Sequence, residues 1–325
     1  MKEKGWNMNK TMLVCGLIFF LLPALGYAQE FPTKQVTITT TFGAGTPIDL
    51  ANRVLANKVE KMLGQPFIIN NNPTGAGMVA LSLVAKEKPD GYHLLFGTTT
   101  TLVWVPHFRK VNVKHEDFTP IMQFGKPAVG LVVRADAPYK TLRDFVEYAK
   151  KNPGKISYSG TGKGTPKQVV MDFIAKQEGI QWTFIPYDAD NLALAALLGG
   201  HVDVCSASPV WIPHVQQGRL RLLATYGENR MKTFPEIPTL KEQGYNFMDP
   251  AIYLLVAPKG VPSAIVKKLD EAFRKAMDDP EFIQVMKKAE FEIVYRDSEA
   301  LKRFIEKQHL DIGKLKADLK LPQEG

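Results

Sequence analysis

A five-residue pattern occurs twice in the chain and constrains its fold more than any other feature. Gly43-Ala-Gly-Thr-Pro47 and Gly162-Lys-Gly-Thr-Pro166 begin 119 positions apart. Each copy follows a run rich in β-branched residues and precedes a helical pattern of apolar residues. The chain is therefore predicted to repeat one unit of strand, turn and helix in two halves.

The elements around the two copies follow the same order. In the first half we predict strands at 36–42, 66–70 and 93–97, with helices from 48 to about 64 and up to about 85. In the second half we predict strands at 155–159, 182–186, 201–205 and 218–226, with helices at 167–177 and 191–198. Strands that alternate with helices over short connections indicate an α/β fold with mostly parallel sheets flanked by helices.

Two further buried-strand patterns, 129–134 and 251–257, lie where the chain passes between the halves. The C-terminal segments that begin at Ser263 and Ser298 carry helical apolar stripes, which are typical of core-facing helices. We expect these helices to pack on the first lobe. The predicted organisation is a first lobe of residues 29–128 plus 252–325 and a second lobe of residues 129–251.

The N-terminus has the three regions of a secretory signal peptide. Basic residues Lys2, Lys4 and Lys10 precede an apolar run, and small residues follow up to Ala28. The apolar run is short for a membrane span, although an uncleaved anchor is the alternative. We predict cleavage after about Ala28 and export to a bacterial periplasm.

Charge and cysteine content narrow the function classes. The chain carries +8, and residues 1–28 hold three Lys and one Glu, so the exported chain carries +6. No later window combines clustered Lys and Arg with aromatic residues, so we predict no nucleic-acid partner. Cys15 lies in the signal peptide and Cys205 stands alone, so no internal disulfide is expected.

The repeated motif has the chemistry of an anion site. Its glycines permit a tight turn, Thr46 or Thr165 takes the N-cap position, and Pro47 or Pro166 takes the first helical position. A helix start of this kind offers outward backbone amides that bind carboxylate or phosphate. For a single copy, capping without a ligand is the simpler interpretation. Two copies at equivalent strand ends favour a ligand held between two lobes.

Known nucleotide-binding motifs do not fit these turns. Gly43-Ala-Gly45 lacks the Gly-Lys-Ser/Thr ending of a P-loop and the third glycine of a dinucleotide fingerprint. A third turn, Gly97 to Thr101, ends the third strand on the same side of the predicted sheet. Its hydroxyls either line the ligand cleft or bond to their own backbone.

Many segments, in order along the mature chain, resemble the substrate-binding proteins of tripartite tricarboxylate transporters, the Bug family. The matching segments are Phe31–Lys34, Asp49–Arg53, Gly64–Pro66, Asn70–Gly77, Pro89–Tyr92, Asn152–Lys155, Ile185–Tyr187, Leu198–Asp203, Phe234–Thr239 and Leu255–Pro262. The resemblance implies a monomeric, two-lobed periplasmic binding protein, type II-like, with its ligand cleft between the lobes. It also implies closure on a small carboxylate and delivery to membrane transporter subunits.

The resemblance places the ligand on the turn after the first strand and on its counterpart in the second lobe. With the threonine turn and the positions that follow Ile185, the candidate ligand-binding residues are Phe42, Ala44, Gly45, Thr46, Ile48, Asp49, Thr98, Thr99, Thr100, Thr161, Gly162, Lys163, Gly164, Thr165, Tyr187, Asp188 and Asp203.

The chain departs from the family pattern at Asp188-Ala-Asp190, where family members usually have Lys or another residue and then Gly. An aspartate that faced the cleft would disfavour a second ligand carboxylate and favour an amine, amide or hydroxyl. The alternative is that both aspartates face solvent and cap the next helix. Lys163 either supplies a compensating charge or is solvated.

Catalytic and metal sites are not expected. The six histidines show no metal-binding spacing, so we predict no metal and no cofactor. Cys205 is a possible nucleophile, but a lone cysteine on an apolar strand is usually inert. The competing function is a ligand sensor of the same fold that presents its closed form to a membrane receptor kinase.

Overall fold

The computed structural model describes Met1, residues 31–247 and residues 251–319. Apart from Met1, the predicted signal peptide lies outside these described residues. The described part forms two sheets flanked by helices, which confirms the α/β class.

The described residues contain ten strands, which form two sheets of one topology. The strands are β1 (Val36–Thr40), β2 (Phe67–Asn71), β3 (His93–Thr98), β4 (Phe118–Gly125), β5 (Gly130–Arg134), β6 (Ile156–Thr161), β7 (Trp182–Tyr187), β8 (Val204–Ala207), β9 (Leu220–Thr225) and β10 (Tyr253–Pro258). The first sheet has the order β2-β1-β3-β10-β4, and the second has the order β7-β6-β8-β5-β9. Only the fourth strand of each order runs against its neighbours, so both sheets are mostly parallel, as predicted.

The antiparallel strand of each sheet is where the chain changes sheets. Strand β5 directly follows β4 but pairs with β8 and β9, and β10 follows β9 but pairs with β3 and β4. The patterns at 129–134 and 251–257 are therefore strands within single sheets, and the crossings lie just before them. The second sheet is therefore built from the consecutive strands β5 to β9, and the first sheet gains β10 when the chain returns to it.

The α-helices of the described residues lie between and beside these strands. They are α1 (Pro47–Leu63), α2 (Met78–Val84), α3 (Val105–Phe108), α4 (Leu142–Lys151), α5 (Pro166–Glu178), α6 (Asp190–Leu198), α7 (Ile212–Gln216), α8 (Ser263–Met277), α9 (Pro280–Lys288) and α10 (Ser298–Leu319). A π-helical turn, Thr100–Trp104, follows β3 and leads into α3. Turns of this type are frequent at functional sites.

The ends of α1 follow from its sequence. Thr46 caps the helix by accepting a hydrogen bond from the Asp49 amide, and Pro47 occupies the first helical position. The helix ends at Gly64, whose φ of 72° is a left-handed conformation that glycine adopts without strain. The buried face includes Leu55 and Val59, so α1 lies firmly on the first sheet.

The C-terminal helices pack on the first lobe. Helices α8 and α9 contact α1, and α10 contacts β4. The Lys58 ammonium lies 3.0 Å from carboxylate oxygens of both Asp279 and Glu281, which joins α1 to the start of α9. These contacts hold the C-terminal helices against elements of the first sheet and its first helix.

An aromatic cluster joins the two lobes away from the crossing strands. The ring of Phe247 lies 6.1 Å from Trp104 on the first lobe, and 6.4 Å from both Phe173 and Tyr226 on the second. Phe247 is buried, so the lobes share apolar surface at this point. Such a junction allows the lobes to keep contact while they move.

Several element predictions need correction. The strand predicted at 201–205 is found at Val204–Ala207, because His201 to Asp203 form the turn that leads into it. Strand β4 and helices α4 and α9 were not predicted. Pro120 interrupts the β4 pattern, and β4 tolerates it because this strand is the edge of its sheet.

Candidate functional site

In both copies of the repeated motif, the threonine hydroxyl donates to the carbonyl of the first glycine. The Thr46 hydroxyl donates to the Gly43 carbonyl at 2.8 Å, and the Thr165 hydroxyl donates to the Gly162 carbonyl at 3.3 Å. Both threonines are buried and both stand at the N-cap of a helix. The hydroxyl proton is therefore used inside each turn, where it fixes the shape of the turn.

The glycine amides of the two turns are also used internally. The Gly45 amide donates to Asp49 Oδ2 at 2.9 Å, and the Gly164 amide donates to Gln168 Oε1 at 2.7 Å. Asp49 and Gln168 occupy the same position of the two copies. The two copies therefore share this hydrogen bond as well as their sequence.

These contacts correct the prediction that the amides of each helix start all point outward. The Asp49 amide donates to the Thr46 hydroxyl, and the Gln168 amide donates to the Thr165 carbonyl. Pro47 and Pro166 have no amide proton. At the second helical position, the amides of Ile48 and Lys167 have no acceptor within their helices.

The Asp49 carboxylate holds the first turn in place through several hydrogen bonds. Its side chain is 1% exposed, and it accepts from the Gly45 amide, from Arg53 Nε at 3.0 Å and from Asn71 Nδ2 at 2.7 Å. A buried carboxylate with several charge-assisted bonds is held firmly. Asp49 does not line the cavity described below.

The two lobes touch through these same turns. A Cβ added at Gly162 would lie 2.2 Å from the Cβ of Ala76, and one added at Gly43 would lie 3.0 Å from the Cβ of Ala189. Each of these pairs joins a turn of one lobe to a loop of the other. The Gly75 amide also donates across the lobes to Asp188 at 3.1 Å. The molecule is therefore in a closed arrangement.

A cavity of about 90 Å³ lies between the lobes at the strand ends. The residues that line it are Thr41, Phe42, Gly43, Thr46, Pro47, Ile48, Ala76, Thr98, Thr100, Thr101, Pro127, Val129, Thr161, Thr165, Pro166, Lys167, Asp188, Ala189, Asp190, Ser208, Pro209, Val210, Ala251, Tyr253 and Phe291. Both repeated turns and the threonine turn contribute, as expected for the carboxyl ends of parallel strands. A few polar groups among apolar walls are typical of a small-molecule site.

The structure brings together about half of the predicted site residues. Those that line the cavity are Phe42, Thr46, Ile48, Thr98, Thr100, Thr161, Thr165 and Asp188. Those that do not line it are Ala44, Gly45, Asp49, Thr99, Gly162, Lys163, Gly164, Tyr187 and Asp203.

The predicted residues outside the cavity have other contacts. Gly162 and Gly164 pack against the first lobe, and Lys163 points to solvent while making other contacts of its own. The Thr99 hydroxyl accepts from the Ile252 amide. Asp203 accepts from the amide and hydroxyl of Ser157 at 2.8 and 3.0 Å, so it joins β6 to the start of β8.

An ion pair in the cavity wall was missed by the sequence interpretation. Lys167 Nζ lies 2.7 and 2.8 Å from the two carboxylate oxygens of Asp190 and 3.0 Å from Thr161 Oγ1. The Asp190 side chain is only 15% exposed, so the interpretation of Asp190 as a solvent-facing residue is wrong. Asp188 is exposed, but its carboxylate also accepts a hydrogen bond from the Gly75 amide of the first lobe.

Comparison of the two halves of the chain would have predicted two of the cavity groups that the sequence interpretation missed. Lys167 stands at the position of Ile48 in the second copy, and Ile48 was predicted. The segment Ser208–Val210 follows β8, which takes the place of β3 in the second sheet. It is therefore the counterpart of the threonine turn.

Cys205 is an unreactive thiol. It lies on β8 with no exposure, and burial raises its pKa to about 12. A protonated, inaccessible thiol is a poor nucleophile. We expect iodoacetamide to leave Cys205 unmodified in the native protein and to modify it fully in 6 M guanidinium. Mass spectrometry would measure this, and rapid modification of the native protein would contradict the placement.

Three histidines from two separate parts of the chain gather beside the middle of α10. His107 Nε2 lies 3.0 Å from His309 Nδ1, and the ring of His115 lies 4.7 Å from that of His309. Within the described residues no group of His, Cys, Asp and Glu has an arrangement that could hold a metal ion. Burial, with the nearby His309, Lys316 and His115, lowers the pKa of His107 to about 4.

This shift predicts a loss of stability in mild acid. A histidine with a folded pKa of about 4 binds fewer protons than the unfolded chain below its ordinary pKa of about 6.5. Its contribution is complete above pH 6.5 and is lost as the pH falls toward 4. After solvent screening, the loss is about 1 kcal/mol between pH 7 and pH 5.

We expect the variant His107→Gln to show a weaker fall of the unfolding midpoint between pH 7 and pH 5 than the parent protein. His93→Gln is the control, because this exposed histidine lies outside the cluster. Circular dichroism at the two pH values measures both. Equal pH dependence of the parent and His107→Gln would contradict the assignment.

No helix among the described residues is long and apolar enough to cross a membrane. Residues 51–321 match the family model of the "Tripartite tricarboxylate transporter family receptor". The UPF0065 protein in the gbd 5' region of Cupriavidus necator is 38% identical over 284 residues, which cover 87% of this chain and 86% of that protein.

Solved structures with similar folds come from the same class of protein. The periplasmic binding protein BugD superposes with a TM-score of 0.84 at 26% identity, covering 90% of this chain and 100% of that one. MatC (Rpa3494) from Rhodopseudomonas palustris, with bound malate, gives a TM-score of 0.81 at 26% identity and covers 88% of this chain and 99% of that one. The predicted two-lobed binding-protein fold is confirmed by these neighbours.

Proposed function

This chain belongs to the tripartite tricarboxylate transporter receptor family, and from that premise we propose that it captures a small organic carboxylate between its two lobes and delivers it to a membrane transporter of that type. The family and the fold are those of substrate-binding proteins. We further propose that the chain acts as a monomer, turns over no ligand and works in the periplasm after cleavage near Ala28.

The observation that carries the proposal is the paired helix start. Helices α1 and α5 begin at equivalent turns, one in each lobe, and both turns line one cavity. The dipoles of the two helices favour negative charge at this point, and the amides of Ile48 and Lys167 are the donors left by helix geometry. The Thr161 hydroxyl accepts from Lys167, so its proton is available to a ligand.

Contacts between the lobes support a mechanism of capture by closure. The pairs of Gly43 with Ala189 and Gly162 with Ala76 exist only when the lobes are together. A ligand that touches both turns stabilises this form by its differential affinity. The bound malate in MatC supports an organic acid as the class of ligand. The lobe boundaries that we propose are residues 29–128 plus 252–325 and residues 129–251.

A thermal-shift screen tests this proposal. Protein purified from the periplasm of cells that express the full chain is screened with mono-, di-, tri- and aromatic carboxylates and with sugars and amines. A ligand at a hundredfold excess over its Kd stabilises the protein by about 2.7 kcal/mol, or roughly 4–5 °C for a chain of this size. A shift with an acid supports the proposal, and shifts with sugars or amines alone would reject it. Uptake of the labelled acid with the cognate membrane subunits then tests delivery.

A further inference from the structure

The charged side chains in the cavity wall do not suit a ligand that carries two or three carboxylate groups. They are Lys167, Asp188 and Asp190, so the wall carries a formal charge of −1. All three belong to the second lobe, near the start of α5 and the start of α6. The wall therefore contains one cation and two anions.

The cation is already bound to other groups of the wall. A lysine ammonium has three N–H donors. Lys167 Nζ has three acceptors within 3.0 Å, namely Asp190 Oδ1, Asp190 Oδ2 and Thr161 Oγ1. Its side chain is 12% exposed, and its charge is neutralised by Asp190 at 2.7 Å. A ligand carboxylate would have to displace Asp190 to bind it.

The second aspartate adds an uncompensated negative charge. Asp188 accepts only a backbone hydrogen bond, from Gly75 at 3.1 Å, and it takes part in none of the ion pairs formed by the described residues. Two carboxylates that lie close together repel each other, even where solvent partly screens them. A second carboxylate on the ligand would meet this charge.

The opposite part of the wall is aromatic and apolar. The ring of Tyr253 lies 5.7 Å from that of Phe42 and 5.0 Å from that of Phe291, and Val129 and Val210 add apolar side chains to the wall. These side chains suit the carbon skeleton of a ligand, because burial of apolar surface is favourable.

We infer that the cleft selects monocarboxylates over dicarboxylates, with the Lys167–Asp190 ion pair as the element that sets this preference. The inference rests on the proposed function and names its ligand class: one carboxylate on the paired turns, an apolar or aromatic body, and an uncharged or hydrogen-donating far end. Asp190 determines specificity because it removes Lys167 from the set of groups that can bind a second carboxylate.

Calorimetry with matched acids tests the inference. The exported protein is titrated with pairs that share a carbon skeleton: butyrate and succinate, hexanoate and adipate, benzoate and terephthalate. For every skeleton that binds, we expect the monocarboxylate to bind at least tenfold more tightly. In Asp190→Asn, the Lys167 ammonium loses the carboxylate that neutralises it, so the affinity for the dicarboxylate should rise at least tenfold relative to that for the matched monocarboxylate.

Two further variants make the test specific. Asp188→Asn should also raise relative dicarboxylate affinity, by less than Asp190→Asn, and it covers the case in which Asp190→Asn fails to fold. Asp136→Asn makes the same change of net charge at a surface side chain that is 75% exposed, and it should leave the ratio unchanged. A preference of the parent protein for dicarboxylates, or an unchanged ratio in both cavity variants, would overturn the inference while leaving the proposed function intact. Binding of no acid at all would reject both.

Discussion

Gly162→Ala is expected to prevent lobe closure and to weaken ligand binding at least a hundredfold, while each lobe stays folded. The new Cβ would lie 2.2 Å from the Cβ of Ala76 on the other lobe, a distance that carbon atoms do not tolerate. The residue also has a φ of 63°, where a side chain adds roughly 1 kcal/mol of strain. A hundredfold loss corresponds to about 2.7 kcal/mol of binding free energy.

The matched control separates closure from backbone strain. Gly154 has a φ of 73° in the same lobe, and an added Cβ there meets nothing within 4 Å. Gly154→Ala should therefore carry a similar strain without loss of affinity. Calorimetry measures the affinity and small-angle scattering measures closure. Binding by Gly162→Ala within threefold of the parent protein would show that contact between the turns is not part of capture.

Asp49→Ala is expected to cost about 2 kcal/mol of unfolding free energy, because it removes a buried carboxylate that accepts hydrogen bonds from Gly45, Arg53 and Asn71. Asp49→Asn should cost less. At the equivalent position Gln168 accepts the Gly164 amide with a neutral side chain, so an amide oxygen can serve the turn.

Urea unfolding measures these costs. Asp136→Ala serves as the control, since its exposed ion pair with Arg134 should contribute less than about 1 kcal/mol. A loss below 1 kcal/mol in Asp49→Ala would contradict the structural role of this carboxylate. A loss of ligand affinity without a loss of stability would instead return Asp49 to the set of binding residues.

The repeated motif made much of this fold predictable. Glycine, threonine and proline in that order prescribe a turn, a cap and a first helical residue, and all three effects are local. The helix starts at Pro47 and Pro166 follow directly. The position of β10 between β3 and β4, antiparallel to both, was not predictable in the same way, because strand pairing depends on distant partners.

The site was predictable where the repeat specifies it and unpredictable where distant chain segments meet. Thr46 and Thr165 follow from the motif, Thr161 directly precedes its second copy, and all three line the cavity. The pairing of Lys167 with Asp190 joins the first turn of α5 to that of α6, and no local pattern determines it. Likewise, His107 and His309 are 202 positions apart and meet only through the docking of α10.

The most direct test of the central claim is a crystal structure of the exported protein with the acid that gives the largest thermal shift. We predict that its carboxylate lies between the turns at 43–49 and 161–167, with Gly162 against Ala76 as in the closed arrangement. An acid bound outside this cleft, or between lobes that do not touch through these turns, would contradict the paired helix-start site.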